Sequence, residues 1–187
     1  MAASDFENND EPQTAEGPVA DRVALLSAAA MAERLEEEIN RAARHGTPLS
    51  CLLVTVGNLR ELAREHGQEL SGQTLAYIGR ALATQLRSFD RIGQPTEGEL
   101  LVMLAGADGP RGEVVARRAL ARLRTIKVEA EGQRQPLDIS IGLATWRAQE
   151  RADELVERAR AASRRPDGEP GALSSASPPA LGRPPGA

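Results

Sequence analysis

Through residues 24–43 apolar side chains recur at Leu25, Ala28, Ala32, Leu35 and Ile39, a helical spacing that stops at Gly46 with Pro48 beyond it. Leu49–Val56 is a nearly unbroken apolar run of strand length. Asn58, with Glu61 three residues on, predicts a capping box that opens a second helix ending at Gly67. Ser71 predicts the cap of a longer helix carrying Leu75, Ile78, Leu82 and Leu86 on one face. Two short strands, Arg91–Gly93 and residues 99–104, flank a turn at 94–98. Pro110 opens a helix running to Arg124, since proline suits a first helical turn. Residues 126–130 and 137–144 then predict a hairpin across a turn at 131–136, and a last helix covers residues 150–164. Helices and strands interleaved in this order predict one α/β domain with a central mixed or antiparallel sheet flanked by helices.

The pattern fails at both ends. Residues 1–20 mix Asn, Asp, Glu, Pro and Gly without periodicity and predict a disordered acidic tail. Residues 166–187, rich in Pro, Gly, Ser and Ala, predict a disordered C-terminal tail. The domain is therefore expected at 21–165, within a chain of 187 residues.

Composition narrows the chemistry. Phe6, Phe89, Tyr77 and Trp146 are the only aromatic residues, so the core must be aliphatic and stacking-based capture of single-stranded nucleic acid is excluded. One cysteine, Cys51, and two histidines, His45 and His66, leave no disulfide scaffold or zinc finger and little histidine-based catalysis. Cys51 alternates with Leu53 on a core strand and reads as a small buried hydrophobe. The formal charge of −4 is uneven: Asp5, Glu7, Asp10, Glu11 and Glu16 stand in residues 1–20 with no basic partner, while the middle is near neutral. Nothing in that balance implies a nucleic-acid or membrane partner, and no apolar run is long enough to span a bilayer. A polar, acidic start is unlike a secretory signal, so a cytoplasmic location is expected.

Several strings in this order resemble the GGDEF domain of diguanylate cyclases, which condense two GTP molecules into cyclic di-GMP. They are Arg34-Leu-Glu-Glu-Glu, Arg44-His-Gly-Thr-Pro-Leu-Ser, Asp90-Arg-Ile-Gly, Leu100-Leu-Val-Met-Leu and Ile139-Ser-Ile-Gly-Leu-Ala. The resemblance spans residues 21–165. It implies that fold, and it places the signature loop at Thr96-Glu-Gly-Glu-Leu, where the family has Gly-Gly-(Asp/Glu)-Glu-Phe. Gly98 then stands where a metal-binding carboxylate is needed, and only Glu99 matches. The family's other magnesium-binding and nucleotide-contacting positions fall on Thr55, Gly57, Ala63, Arg64 and Gly72. Magnesium-assisted phosphoryl transfer needs hard oxygen ligands that these residues cannot supply. Cyclase activity is expected to be lost, with no catalytic residue, no metal and no cofactor.

What the resemblance keeps is Arg87-Ser-Phe-Asp90, an Arg-x-x-Asp five residues before the loop, where the family's inhibitory site binds cyclic di-GMP. An arginine fork can bind guanine O6 and N7, and an aspartate can accept from the base's N1 and N2 protons. The string alone carries little weight. With 22 Arg and 8 Asp, about one such string arises by chance, and a second stands out of register at Arg164 and Asp167. Its bland reading is an exposed ion pair at a helix end, worth little. A further arginine from the later helix is expected: Arg122 in Ala121-Arg-Leu-Arg fits, with Arg118 as the alternative because the connection before that helix is longer than the family's.

Two more departures matter. The family's inlet motif is reduced to Asp21-Arg-Val-Ala-Leu-Leu-Ser-Ala-Ala, and the last helix passes from Ala162-Ser-Arg-Arg to Pro166 without the usual Tyr-x-Ala-Lys. No fused sensor is expected upstream. The sequence thus predicts a non-catalytic cyclic di-GMP receptor or effector that regulates a protein partner, with Arg87, Asp90 and Arg122 as ligand contacts and a ligand-linked homodimer as one mode of action. Its rival is a ligand-independent interaction scaffold built on the same domain.

Overall fold

A computed structural model describes residues 25–130, 132–164 and 173–175. The elements run α1 (Ala28–His45), β1 (Leu49–Val56), α2 (Leu59–His66), α3 (Gln68–Ala83), β2 (Arg91–Gly93), β3 (Glu99–Ala105), α4 (Gly109–Leu123), β4 (Lys127–Ala130), β5 (Gln133–Pro136), β6 (Ile139–Thr145), α5 (Ala152–Ser163) and β7 (Leu173–Ser175). Five strands form one sheet in the order β2-β3-β1-β6-β7. Pairing is antiparallel except between β6 and β7, so the sheet is mixed, as expected.

The central position of β1 explains its unbroken apolar run, because a strand covered on both faces has no polar side. Alternation still sorts its residues. Leu52, Val54 and Val56 join one core with α3 and α4, including Ile78, Leu82, Ala116 and Leu120. Leu49, Cys51 and Leu53 join the other with α1 and α5, through Met31, Leu35, Leu155 and Ala159. The molecule is therefore three-layered, with one helix pair on each face of the sheet. Aliphatic side chains fill both cores, as the shortage of aromatics requires.

Local signals account for most element ends. Ser27 caps α1 by accepting from the Ala30 amide, and Gly46 closes it at φ 61°, a left-handed geometry that glycine adopts without strain. Asp108 caps α4 by accepting from the Arg111 amide at 3.0 Å, with Pro110 in the first turn.

Three local expectations are corrected. Asn58 forms no capping box; its side chain instead donates to the Pro136 carbonyl (2.9 Å) and accepts from the Asp138 amide (3.0 Å), tying the end of β1 to the lead-in of β6. Ser71 caps nothing. The preceding helix ends at Gly67, where φ is 92°, and α3 starts at once, leaving Ser71 buried inside it. The expected hairpin between 126–130 and 137–144 is also absent. β4 turns back through Gly132 (φ 76°) to pair with β5, which frees β6 to insert beside β1. The C-terminal tail expected at 166–187 contains β7, which pairs parallel with β6. The acidic tail expected at 1–20 lies outside the described residues. Among the described residues no helix is long and apolar enough to cross a membrane.

Candidate functional site

Beyond α3 the chain makes a tight turn before β2. The Asp90 amide donates to the Arg87 carbonyl (3.1 Å), and the Asp90 Oδ2 accepts from the Arg87 amide (2.9 Å). Arg91 braces the same turn, its Nη1 donating to the carbonyls of Ser88 (2.9 Å) and Asp90 (2.8 Å). Asp90 is consequently only 7% exposed, not the exposed partner of the bland reading. Burial pushes its carboxyl above the ordinary aspartate value, while the Arg87 amide and the charges of Arg87 and Arg91 partly offset that rise.

Arg87 itself is exposed, its guanidinium carbon 5.8 Å from the centre of the half-exposed Phe89 ring. Across from this turn stands α4. Together they enclose a pocket of about 330 Å³ with Arg87, Asp90, Arg111 and Arg118 on its walls and Leu86, Leu104, Val114 and Val115 supplying apolar surface. Among the described residues Asp90 is the one carboxylate on that lining. Arg118 Nη2 reaches the Gln85 side-chain oxygen at 3.4 Å, and Arg111 Nη1 reaches the Gly106 carbonyl at 3.5 Å. Of the three residues singled out in the sequence, the structure therefore brings Arg87 and Asp90 together and leaves Arg122 outside. Arg122 lies one helical turn beyond Arg118 and points its Nη1 at the Thr125 hydroxyl (3.4 Å). Sequence reading missed Arg111, although its place three residues after the cap Asp108 aims it at the loop that α4 leaves.

A second pocket, of about 660 Å³, lies over the loop at 96–99, between the ends of β1 and α5. Gly98 takes φ 79° there, and its carbonyl accepts from the Val56 amide (3.1 Å). Glu99 does not face open solvent. Arg160 of α5 grips it with Nε to Oε1 at 2.9 Å and Nη2 to Oε2 at 2.7 Å, and the Thr96 hydroxyl donates to Oε2 at 2.7 Å. Burial pushes the Glu99 carboxyl up, but Arg160 and Thr96 outweigh it and hold the group below the ordinary glutamate value. Arg160 also pairs with Glu157. Beside Gly57, the Asp138 carboxylate takes the space a side chain would need, an added Cβ meeting Oδ2 at 2.5 Å. Among the described residues no group of three or more His, Cys, Asp or Glu is placed to hold a metal ion.

The fold defines a class: an α/β domain with a mixed sheet between two helical layers. The chain belongs to the GGDEF family, since the model for the diguanylate cyclase GGDEF domain matches residues 23–166. It is similar to the diguanylate cyclase DosC of Escherichia coli K12, at 27% identity over 123 residues, which is 65% of this chain and 27% of that protein. Similarity to the diguanylate cyclase DgcP of Pseudomonas aeruginosa is 24% over 135 residues, covering 72% of this chain and 20% of that one. This chain thus spans about a quarter or less of those relatives' length. Among solved structures, the diguanylate cyclase SiaD of P. aeruginosa, in complex with its activator SiaC, superposes with a TM-score of 0.69 at 25% identity, over 79% of this chain and 56% of SiaD. The GGDEF domain of DgcB from Caulobacter crescentus, in complex with c-di-GMP, shares the fold with a TM-score of 0.74 at 13% identity, over 88% of this chain and 96% of that one.

Proposed function

We propose that this GGDEF domain is a non-catalytic receptor for cyclic di-GMP that changes its contacts with a protein partner when the ligand is bound. The observation that carries the reading is the pocket of Arg87, Arg111 and Arg118 around Asp90, set five residues before a loop that lacks its acidic third position. Guanidinium forks suit both guanine edges and phosphate oxygens, and the three lining arginines outnumber the one carboxylate, as an anionic ligand requires. Arg118 replaces Arg122 in this assignment.

Loss of cyclase activity is part of the proposal. At the loop, Gly98 has no side chain and Glu99 is engaged by Arg160, so the donor set does not fit magnesium. A divalent ion at Glu99 would have to displace a bidentate guanidinium, and the one carboxylate beside Gly57 is that of Asp138, which with Glu99 forms no group of three ligands among the described residues. No phosphoryl-transfer step can be routed through these residues. Partner regulation is supported by two members of the family at once: SiaD is held by an activator protein and DgcB binds c-di-GMP, each on this fold.

One observation favours the rival scaffold reading, because the Asp90 carboxylate is already used to close its own turn on the Arg87 amide. A thermal-shift series separates the two. Cyclic di-GMP should raise the melting temperature of the wild type and not of Arg87→Ala, whereas a scaffold shows no shift in either. Incubation with GTP and magnesium should give no cyclic product; product above a protein-free blank would refute the loss of catalysis.

A further inference from the structure

The position of the chain before α1 gives the arginine pocket a second candidate occupant. The Leu26 amide donates to the Ile92 carbonyl (2.9 Å) and the Gln94 amide to the Leu26 carbonyl (3.0 Å), a parallel bridge to Gly93 on the outer edge of β2. Leu25 packs against Gly79 of α3. The described chain thus starts at Leu25, and Gly93 stands three residues after Asp90 of the pocket. The segment beyond carries Asp5, Glu7, Asp10, Glu11 and Glu16, and residues 1–20 contain no Lys or Arg.

The pocket is suited to carboxylates. Among the described residues Arg111 and Arg118 reach only neutral oxygens, at 3.5 and 3.4 Å, and Arg87 lies over an aromatic ring. Their neighbour Arg117, by contrast, is paired with Glu113 at 2.5 Å. From Leu25 back to Glu16 is nine residues, or about 30 Å of extended chain, enough to cross the pocket. A tethered segment also meets its site at an effective concentration in the millimolar range, so weak contacts suffice.

We propose that residues 5–16 dock on the Arg87, Arg111 and Arg118 pocket as an intramolecular acidic occupant, which an anionic ligand must displace. The docking itself is independent of the ligand; the competition rests on the cyclic di-GMP reading above. Charge is the only attraction invoked, so the contact weakens steeply as salt shortens the screening length from about 10 Å at 0.1 M.

The test uses the full chain and a variant with Asp5→Asn, Glu7→Gln, Asp10→Asn, Glu11→Gln and Glu16→Gln together, with matching melting curves as the control for folding. Phenylglyoxal modification read by mass spectrometry should proceed at least threefold faster at Arg87, Arg111 and Arg118 in the variant, with exposed Arg134 unchanged as the internal reference. The difference should vanish in 0.5 M salt, and cyclic di-GMP should bind the variant about tenfold more tightly at low salt, in keeping with a few charge contacts removed. Equal modification of the three arginines in both proteins overturns the proposal. Protection that falls on dilution overturns its intramolecular form, since the segment would then come from a second copy. If the protection pattern holds and cyclic di-GMP binds neither protein, the ligand reading fails while the docking stands.

Discussion

The grip of Arg160 on Glu99 makes a quantitative prediction about the loop at 96–99. The two residues are 61 positions apart, and the side chains are only 14% and 13% exposed. Exposed pairs contribute about 0.2–1 kcal/mol, whereas stripping one partner from a fully buried pair costs about 3–5 kcal/mol. A bidentate bond at this burial, with Thr96 as a third donor to the carboxylate, places the coupling near 2 kcal/mol. Arg160→Ala should therefore lower the melting temperature by about 4–8 °C. A double-mutant cycle with Glu99→Gln, measured by urea denaturation, isolates the pair, and Glu157→Gln controls for the other carboxylate on Arg160. The sign with pH follows from the direction of the Glu99 shift. Its folded value lies below the ordinary 4.5, so the pair stabilises fully above that pH and its contribution is lost as pH falls through the folded value. The gap between wild type and Arg160→Ala should shrink accordingly in acid. A coupling below about 0.5 kcal/mol, the level of an ordinary surface pair, would refute the claim that this bond latches α5 to the loop.

Other positions give independent tests. A Cβ at Gly142 would run into the Ala159 carbonyl and the Ser163 amide, backbone groups of α5 that no rotamer change can move. Gly142→Ala should therefore cost about 3 kcal/mol or more, read by the urea midpoint, and a change under about 0.5 kcal/mol would show that α5 does not sit so close to β6. Cys51 is fully buried, and burial pushes its thiol up to about 12, so a thiol reagent should react only as fast as the domain unfolds; rapid labelling of the folded protein would contradict its place in the core. At Asp90, burial raises the carboxyl, so the charged form is the disfavoured one in the fold and a neutral acceptor is tolerated. Asp90→Asn should retain stability to within about 0.5 kcal/mol, while Asp90→Ala should lose about 1–2 kcal/mol with the turn-closing bond to Arg87. Equal losses in the two variants would remove that role.

The large features were legible because hydrophobic pattern and caps speak locally. The run Leu49–Val56 has the length of a strand, and Pro110 marks a helix start by itself. What failed was set by contacts distant in sequence. Gln133–Pro136 has the composition of a loop and becomes a strand only because β4 offers it a partner, with Gly132 making the turn. Asn58 looked like a cap until the fold brought Pro136 and Asp138, about 80 residues away, within its reach. That Arg118 rather than Arg122 lines the pocket depends on where the connection before α4 ends, at the Asp108 cap. No local signal pairs Glu99 with Arg160, since the two meet only when α5 folds across the sheet.

The most direct test is calorimetric titration of the full chain with cyclic di-GMP, alongside Arg87→Ala, Arg118→Ala and Arg122→Ala. Each charge-assisted bond is worth about 1.5–3 kcal/mol, so losing one should weaken binding about 10- to 100-fold. The account predicts binding in the micromolar range or tighter, weakened by that factor in Arg87→Ala and Arg118→Ala and unchanged in Arg122→Ala. Absence of heat with the wild type, or equal affinity in wild type and Arg87→Ala, would contradict a receptor built on this pocket.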